Sequence, residues 1–529
     1  MVGNTTCNVI NHSFIDYIIK CYVPELQTDE KYKKINLNLF KEAMLHISTK
    51  IEDHQKTYER LEYFGDFTFH MIITEYLYKR YDEENEGFLT RLRIRIERGD
   101  SMVELAKILE LNQYIQIHGM YINDHILEDV FEAFIGAFYL SFGIRYTKTF
   151  VVKLIENHKN LSEIIFYDDN YKDLLLRYYH QMQWGHPIYE DHNPNVYRKF
   201  VSVVKNPKGK IIGKGMATSV IKAEQEASKN ALITLKVIVN DEIDPDWLSK
   251  IGKIDHKGKK NKEKTNKKPM SVYNPQNKLI SKDDILEILA KYNVKILKRD
   301  FEIKLFQEAM THRSYLIRKK LTPEDVVASE NSVKLQKKSN ERLKFLGDSV
   351  IHFIVGEYLY HRYQKADEGF LTRLRCKLKN RESLFYLAKQ TNISSYILIS
   401  QNIEVLHGRN NINIIGIGFA AFVGALYLQI GLSVTKQFLL EVIRIEFNTD
   451  EIAENETNYK DMILQLYNEN HWGCPEYRKL KEEGPDHCKI FTMGIFLNGK
   501  LMGQGKASSK RRAEQIASKK MYELFTNKQ

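Results

Sequence analysis

Two pairs of carboxylates stand at helical spacing in the first third of the chain. Glu62 and Asp66 are four apart in Tyr58-Glu59-Arg60-Leu61-Glu62-Tyr63-Phe64-Gly65-Asp66. Asp129 and Glu132 are three apart in Ile126-Leu127-Glu128-Asp129-Val130-Phe131-Glu132-Ala133-Phe134-Ile135-Gly136-Ala137. On a helix such spacings put both members of a pair on one face. Both pairs lie among large apolar residues, where an unpaired carboxylate is costly and calls for a partner or a metal. Neither stretch carries a matching set of basic residues. Four carboxylates brought together would suit a hard cation such as Mg²⁺, which takes oxygen ligands and keeps waters. Such ions activate water and stabilise the leaving oxygen of a phosphodiester. By spacing alone the same acids read equally as surface positions of amphipathic helices. Gly65 and Gly136 each cost about 1 kcal/mol relative to alanine inside a helix. That cost is explained if the two helices approach closely and carry the acid pairs together.

The elements that position these acids are written twice. Leu39-Phe40-Lys41-Glu42-Ala43-Met44 returns as Leu305-Phe306-Gln307-Glu308-Ala309-Met310. Glu86-Gly87-Phe88-Leu89-Thr90-Arg91-Leu92-Arg93 returns as Glu368-Gly369-Phe370-Leu371-Thr372-Arg373-Leu374-Arg375, and Asn170-Tyr171-Lys172-Asp173 as Asn458-Tyr459-Lys460-Asp461. A pair of copies in the same order is a tandem duplication rather than a solenoid. The first part of each copy, 12–145 and 281–436, is helical by its apolar periodicity, with a long helix expected over Arg60 to Tyr81. The second part, 166–238 and 457–526, has a short helix, extended stretches such as Lys199–Val204 and Ile490–Phe496, turns at Asn206-Pro207-Lys208-Gly209 and Asn498-Gly499, and a closing helix. Its order is α-β-β-β-α. Between the copies, 239–280 includes nine lysines from Lys250 to Lys268 and few apolar residues, the composition of a solvated basic linker. Its lysines add salt-sensitive affinity if a polyanion is near.

Glu59-Arg60-Leu61-Glu62-Tyr63-Phe64-Gly65-Asp66 resembles the signature of ribonuclease III, and Asp129-Val130-Phe131-Glu132-Ala133-Phe134-Ile135-Gly136 resembles that family's second acidic box. The α-β-β-β-α modules resemble double-stranded RNA-binding domains. The fold implied is multidomain: two all-α nuclease domains and two α-β-β-β-α RNA-binding domains. The activity implied is Mg²⁺-dependent cleavage of double-stranded or hairpin RNA to 5′-phosphate and 3′-hydroxyl ends, with Mn²⁺ able to replace Mg²⁺. By position, the metal-binding and catalytic acids are Glu62, Asp66, Asp129 and Glu132, with Glu59 supporting. In the second copy Lys344 stands for Glu62, Ile417 for Asp129 and Ala420 for Glu132, while Asp348 is kept. One carboxylate cannot hold two Mg²⁺ ions well, so this copy is expected to be inactive, with Lys344 able to pair with Asp348. The family's nuclease domains work as dimers. The aromatic that packs into the partner matches Tyr63 and Phe345. Either an intramolecular pseudo-dimer with one live site or a homodimer of first domains satisfies the sequence.

Double-stranded RNA is read by shape, 2′-hydroxyls and phosphates. The second module carries the family's loop in Gly484-Pro485-Asp486-His487 and its basic helix start in Ser509-Lys510-Arg511-Arg512. His487, Lys510, Arg511 and Arg512 are the expected RNA contacts. The first module lacks the histidine in Asn193-Pro194-Asn195-Val196 and has Val220 and Ile221 in place of the basic pair, leaving Lys222. Weak RNA binding is expected of it. A net charge of +11 and a pI near 9.0 fit a polyanionic partner. Five cysteines without a CxxC pair argue against a zinc site and for free thiols. No signal peptide or membrane span is read, so an intracellular, cytoplasmic protein is expected. The alternative function is an RNA-sequestering protein that does not cut. The intact tetrad favours the enzyme, and the RNA-shape modules disfavour a DNA nuclease.

Overall fold

The computed structural model describes residues 8–49, 56–161, 171–192, 200–239, 242–243, 272–296, 301–317, 332–456, 459–483 and 489–526. The chain divides into two compact units. One comprises Met1–Asn277, Thr311–Ser349 and Leu398–Gly408, the other Lys278–Met310, Val350–Ile397 and Arg409–Gln529.

The first unit opens with helices α1 (His12–Tyr22), α2 (Leu37–Ala43), α3 (Glu59–Arg80), α4 (Glu86–Ile96), α5 (Gly99–Ile108), α6 (Asp124–Phe142) and α7 (Ile144–His158). Asparagines set several starts: Asn85 accepts from the Phe88 amide and Asn123 from the Ile126 amide, satisfying donors that a helix N-terminus leaves open. Gly143, at φ 83°, ends α6 and turns the chain into α7. The core is aromatic. Phe138 stacks on Phe150 at 4.7 Å between ring centres, and Phe40, Phe134 and Phe142 pack around them. On α3 the buried Glu75 takes ion pairs from Lys79 at 2.5 Å and Lys148 at 2.6 Å, tying α3 to α7. The helices thus run on to His158, beyond the sequence-based boundary at 145.

The first α-β-β-β-α module follows: α8 (Tyr171–Gln181), β1 (Ile188–His192), β2 (Phe200–Lys205), β3 (Ile211–Ala217) and α9 (Val220–Thr234), with an antiparallel sheet ordered β1-β2-β3. A two-residue pairing of β4 (Ile238–Val239) with β5 (Glu242–Ile243) comes next. The nine lysines of the expected linker lie outside the described residues. Its last residues make defined contacts. Val272 packs with Tyr315, Leu335 and Leu398, and the Asn274 and Asn277 side-chain amides donate to the Ile399 carbonyl at 3.2 and 3.0 Å. Lysine-rich composition upstream masks this short apolar and asparagine anchor in the sequence.

The second unit holds α10 (Lys282–Lys291), α11 (Ile303–Ala309), the rest of α12 (Glu341–Arg362) after Ser349, α13 (Glu368–Lys379), α14 (Arg381–Gln390), α15 (Ile412–Ile430), α16 (Leu432–Glu446) and α17 (Thr449–Glu456). Its own module is α18 (Tyr459–Glu469), β6 (Glu476–Glu483), β7 (Ile490–Leu497), β8 (Lys500–Ala507) and α19 (Lys510–Thr526). Asn498 and Gly499 join β7 to β8 with φ of 50° and 76°, the left-handed pair that a tight hairpin needs. Helix α15 is long and apolar enough by length and composition to span a bilayer, but most of it is buried inside the fold, as in a core helix. Cys21, Cys376 and Cys474 are free thiols, while Cys7 and Cys488 lie outside the described residues.

Helices α3 and α6 touch through the two glycines singled out in the sequence. A Cβ on Gly65 would lie 1.7 Å from the Glu132 carbonyl oxygen, and one on Gly136 would lie 2.4 Å from that of Leu61. Backbone faces backbone here, so no side chain can yield. Gly136→Ala is therefore expected to destabilise the first helical domain by about 3 kcal/mol, the upper end for overpacking. Helix propensity alone would stabilise it by about 1 kcal/mol. The denaturant midpoint of that domain decides between the signs.

Candidate active site and nucleic-acid interface

The close α3–α6 contact governs what the acids meet. Glu62 and Asp66 project from α3, Asp129 and Glu132 from α6, and all four are half-buried. The Glu132 carboxyl is pushed well above the ordinary carboxylate range, first by burial and then by the negative fields of Asp66, Glu62, Glu128 and Asp129. The two pairs therefore act on one another across the helix contact, as the glycines implied. Tyr58, immediately before α3, donates its hydroxyl to Asp129 Oδ2 at 3.2 Å. Burial raises this phenol, as do the charges of Asp129, Glu62 and Glu59. His125 Nδ1 lies 3.1 Å from Asp129 Oδ1 on the solvent side. Thr57 Oγ1 donates to Glu59 Oε2 at 3.4 Å, so Glu59 is engaged at the start of α3.

The donor set suits a divalent cation: oxygen ligands, a partly desolvated position and concentrated negative charge. Among the described residues, however, no three His, Cys, Asp or Glu side chains stand close enough together to form a metal-binding group. The acids share a field without a closed set of ligands. Tyr58, His125 and Glu128 were not among the residues expected from the sequence. Tyr58 begins the signature and Glu128 and His125 flank Asp129, but what each faces depends on the helix packing.

In the second copy Lys344 pairs with Asp348 at 3.2 Å, as its substitution for an acid suggested, and also with Glu86 of α4 at 3.6 Å. Ala420 is fully buried and Ile417 half-buried on α15. Of the two expected interface aromatics, Tyr63 is buried with its ring edge-on to Phe67 at 5.4 Å. Phe345 is buried within the core cluster of α1–α7, beneath the Arg93 guanidinium at 4.7 Å. Arg342, one turn earlier, donates to the carbonyls of Tyr78, Tyr81 and Glu84. Ser349 Oγ donates to the His70 carbonyl at 3.4 Å. Arg342, Arg93 and Glu86 also escaped the sequence reading, although each sits in a segment that the chain repeats.

The two α-β-β-β-α modules share one skeleton. Lys172 pairs with Glu224 at 2.5 Å and Lys460 with Glu514 at 2.7 Å; Tyr189 bonds Ser228 and Tyr477 bonds Ser518, both at 2.7 Å. Their outward residues differ. Lys510, Arg511 and Arg512 are exposed in the first turn of α19, where helix amides and dipole favour phosphate. Ser509 Oγ accepts from the Arg512 amide at 3.3 Å and caps this start. The corresponding turn of α9 presents Lys222 and a 70% exposed Ile221. His487 and the loop at 193–196 lie outside the described residues.

Comparison with known proteins bears on both parts. A family model described as Ribonuclease-III-like matches residues 36–158 and 302–445, and one for the double-stranded RNA binding motif matches 171–235 and 459–524. A protein named probable ribonuclease 3 from Acanthamoeba polyphaga mimivirus is 65% identical over 99% of this chain and 98% of its own length. Ribonuclease 3 of Streptococcus pneumoniae serotype 19F is 36% identical over 43% of this chain and 94% of its own. The nuclease domain of ribonuclease III from Campylobacter jejuni has 30% identity over 31% of this chain and 98% of that one, with a TM-score of 0.25. With both helical domains matched and a relative similar along nearly its whole length, the chain belongs to the ribonuclease III family and is an enzyme of that family.

Proposed function

We propose that the chain is an endoribonuclease that cleaves double-stranded RNA, hairpins included, to 5′-phosphate and 3′-hydroxyl ends, with one live site per chain. The observation that carries this reading is the raised Glu132 carboxyl, embedded among Asp66, Glu62 and Asp129. Folding such a cluster of negative charge is costly, and a hard cation offsets that cost. Glu62, Asp66, Asp129 and Glu132 would hold Mg²⁺, or Mn²⁺ in its place, with Glu59 supporting. When bound, the cation supplies the Lewis acidity and water activation that phosphodiester scission requires. The protein's part is positional. The α3–α6 contact holds the acids in a common field, and Tyr58 orients Asp129 through its hydroxyl. Lys510, Arg511 and Arg512 hold phosphates, with His487 reaching the minor groove. Lys222 gives the first module a weaker grip.

The second nuclease copy serves as partner rather than catalyst. Lys344, Ile417 and Ala420 remove three of the four ligands. The contacts of Arg342, Phe345 and Ser349 with residues of the first domain support an intramolecular pairing over a pairing of two chains.

A duplex RNA with each strand labelled differently tests this reading. With Mg²⁺ the chain is expected to nick one strand per binding event, and Glu132→Gln to abolish the nick. Paired cuts with a short overhang would mean that two chains join through their first domains. Binding without a cut would make the protein an RNA sequesterer. Without metal, Glu132→Gln should raise the thermal midpoint of the first nuclease domain at neutral pH. The folded-state value of Glu132 lies above the unfolded one, so the wild type loses stability as pH rises through it. The difference between the two should vanish as pH falls into the ordinary carboxylate range. For RNA binding, Lys510→Ala with Arg511→Ala should lower the slope of log affinity against log salt by about one per lost contact. Lys222→Ala should change it less.

A further inference from the structure

Tyr58 holds Asp129, and its own surroundings hold Tyr58 in turn. The residue is 5% exposed, and its ring lies tilted against that of His46 with 5.7 Å between centres. His46 is itself fixed, because the Ser48 amide donates to its Nδ1 at 3.0 Å. The packed ring delivers its hydroxyl to Asp129 Oδ2 at 3.2 Å, while Oδ1 lies 3.1 Å from His125 on the exposed side.

The second copy keeps the place of this residue but not its partner. The Tyr58 amide donates to the Leu45 carbonyl at 3.0 Å, and the Asn340 amide to that of Thr311 at 2.9 Å. The carbonyls of Tyr58 and Asn340 accept from the amides of Glu62 and Lys344, each at 2.8 Å. The two residues therefore stand alike at the heads of α3 and α12. Asn340 is buried, and its side-chain nitrogen has no hydrogen-bond partner among the described residues. That copy has Ile417 where the first has Asp129. A buried donor left unmade costs about 1–3 kcal/mol. At this place the donor is satisfied in the copy that keeps the acid and orphaned in the copy that lost it.

We propose that Tyr58 is a positioning residue that selects the metal: by engaging one oxygen of Asp129 it confines that carboxylate to ligation through the other, which favours Mg²⁺ over Ca²⁺. The inference rests on the metal-binding reading above and adds to it a basis for ion choice. Mg²⁺ demands near-octahedral geometry and keeps its waters, whereas Ca²⁺ accepts more oxygens in looser geometry, often both from one carboxylate. Asp129 cannot offer both oxygens without losing the Tyr58 bond. The hydroxyl thereby penalises the ion that gains most from chelation, which is specificity through a cost laid on the competitor. It also fixes the carboxylate for the ion that tolerates misplacement least.

Calorimetric titration of the full chain with Mg²⁺ and with Ca²⁺, without RNA, tests the proposal. Glu132→Gln, which removes one of the four acids, accounts for binding elsewhere on the chain. Tyr58→Phe keeps the ring and drops the hydroxyl. It is expected to weaken Mg²⁺ binding by about tenfold, the scale of losing a hydrogen-bond partner behind a metal ligand, and to leave Ca²⁺ binding unchanged or tighter. Its circular-dichroism spectrum without metal should match the wild type's. Tyr58→Leu, which also lacks the hydroxyl, should move the ratio of the two affinities the same way. Equal losses for both ions are what a merely structural role produces, and they would overturn the proposal. A ratio that stays put or shifts toward Mg²⁺ would do the same. If the wild type binds neither ion, or binds them no better than Glu132→Gln does, the metal-binding reading itself fails.

Discussion

The approach of α3 and α6 at Gly65 and Gly136 is the constraint on which the site depends. Each glycine faces a carbonyl of the opposite helix at a distance that no side chain could occupy. Two helices so close bring residues one position or one turn away into mutual reach. Glu62 and Asp66 flank Gly65 on α3, while Asp129 and Glu132 precede Gly136 on α6. The helix contact therefore concentrates negative charge, and the raised Glu132 carboxyl is its electrostatic mark. Stability and chemistry pull in opposite directions here. Close backbone packing favours the fold, whereas assembling carboxylates opposes it.

The duplication shows what happens when that opposition is relaxed. In the second copy the helix corresponding to α6 has lost both acids, and Ile412–Ile430 carries no charged residue at all. It becomes apolar enough to resemble a membrane span, yet most of it is buried inside the fold. The scaffold residues persist: Glu357 still takes an ion pair from Lys436 at 2.8 Å, as Glu75 does from Lys148. What changed is the inward chemistry, and what remained is the outward face of α12 that Arg342, Phe345 and Ser349 define.

The RNA-binding modules divide in the same way. Their internal pairs, lysine to glutamate and tyrosine to serine, are reproduced nearly to the distance. The exposed first turn of the last helix is not. Three cations there in the second module meet one in the first, so two similar skeletons present phosphate with unequal fields.

Much of this molecule was determined by the sequence alone. The repeats, the acid spacing, the paired glycines and the missing acids of the second copy are local facts. Helix periodicity and turn chemistry convert them into elements without reference to the rest of the chain. The Asn498-Gly499 hairpin and the Lys344–Asp348 pair belong to this class, because each needs only neighbours in sequence. Tertiary structure decided what no local rule contains. That Tyr58 donates to Asp129, that Phe345 enters the core of α1–α7, and that Glu86 meets Lys344 are contacts between residues far apart along the chain. The anchor at Val272 to Asn277 was hidden for the same reason: its asparagines look like linker residues until the Ile399 carbonyl is placed against them. Spacing fixes which face a side chain occupies, but only packing fixes what that face meets.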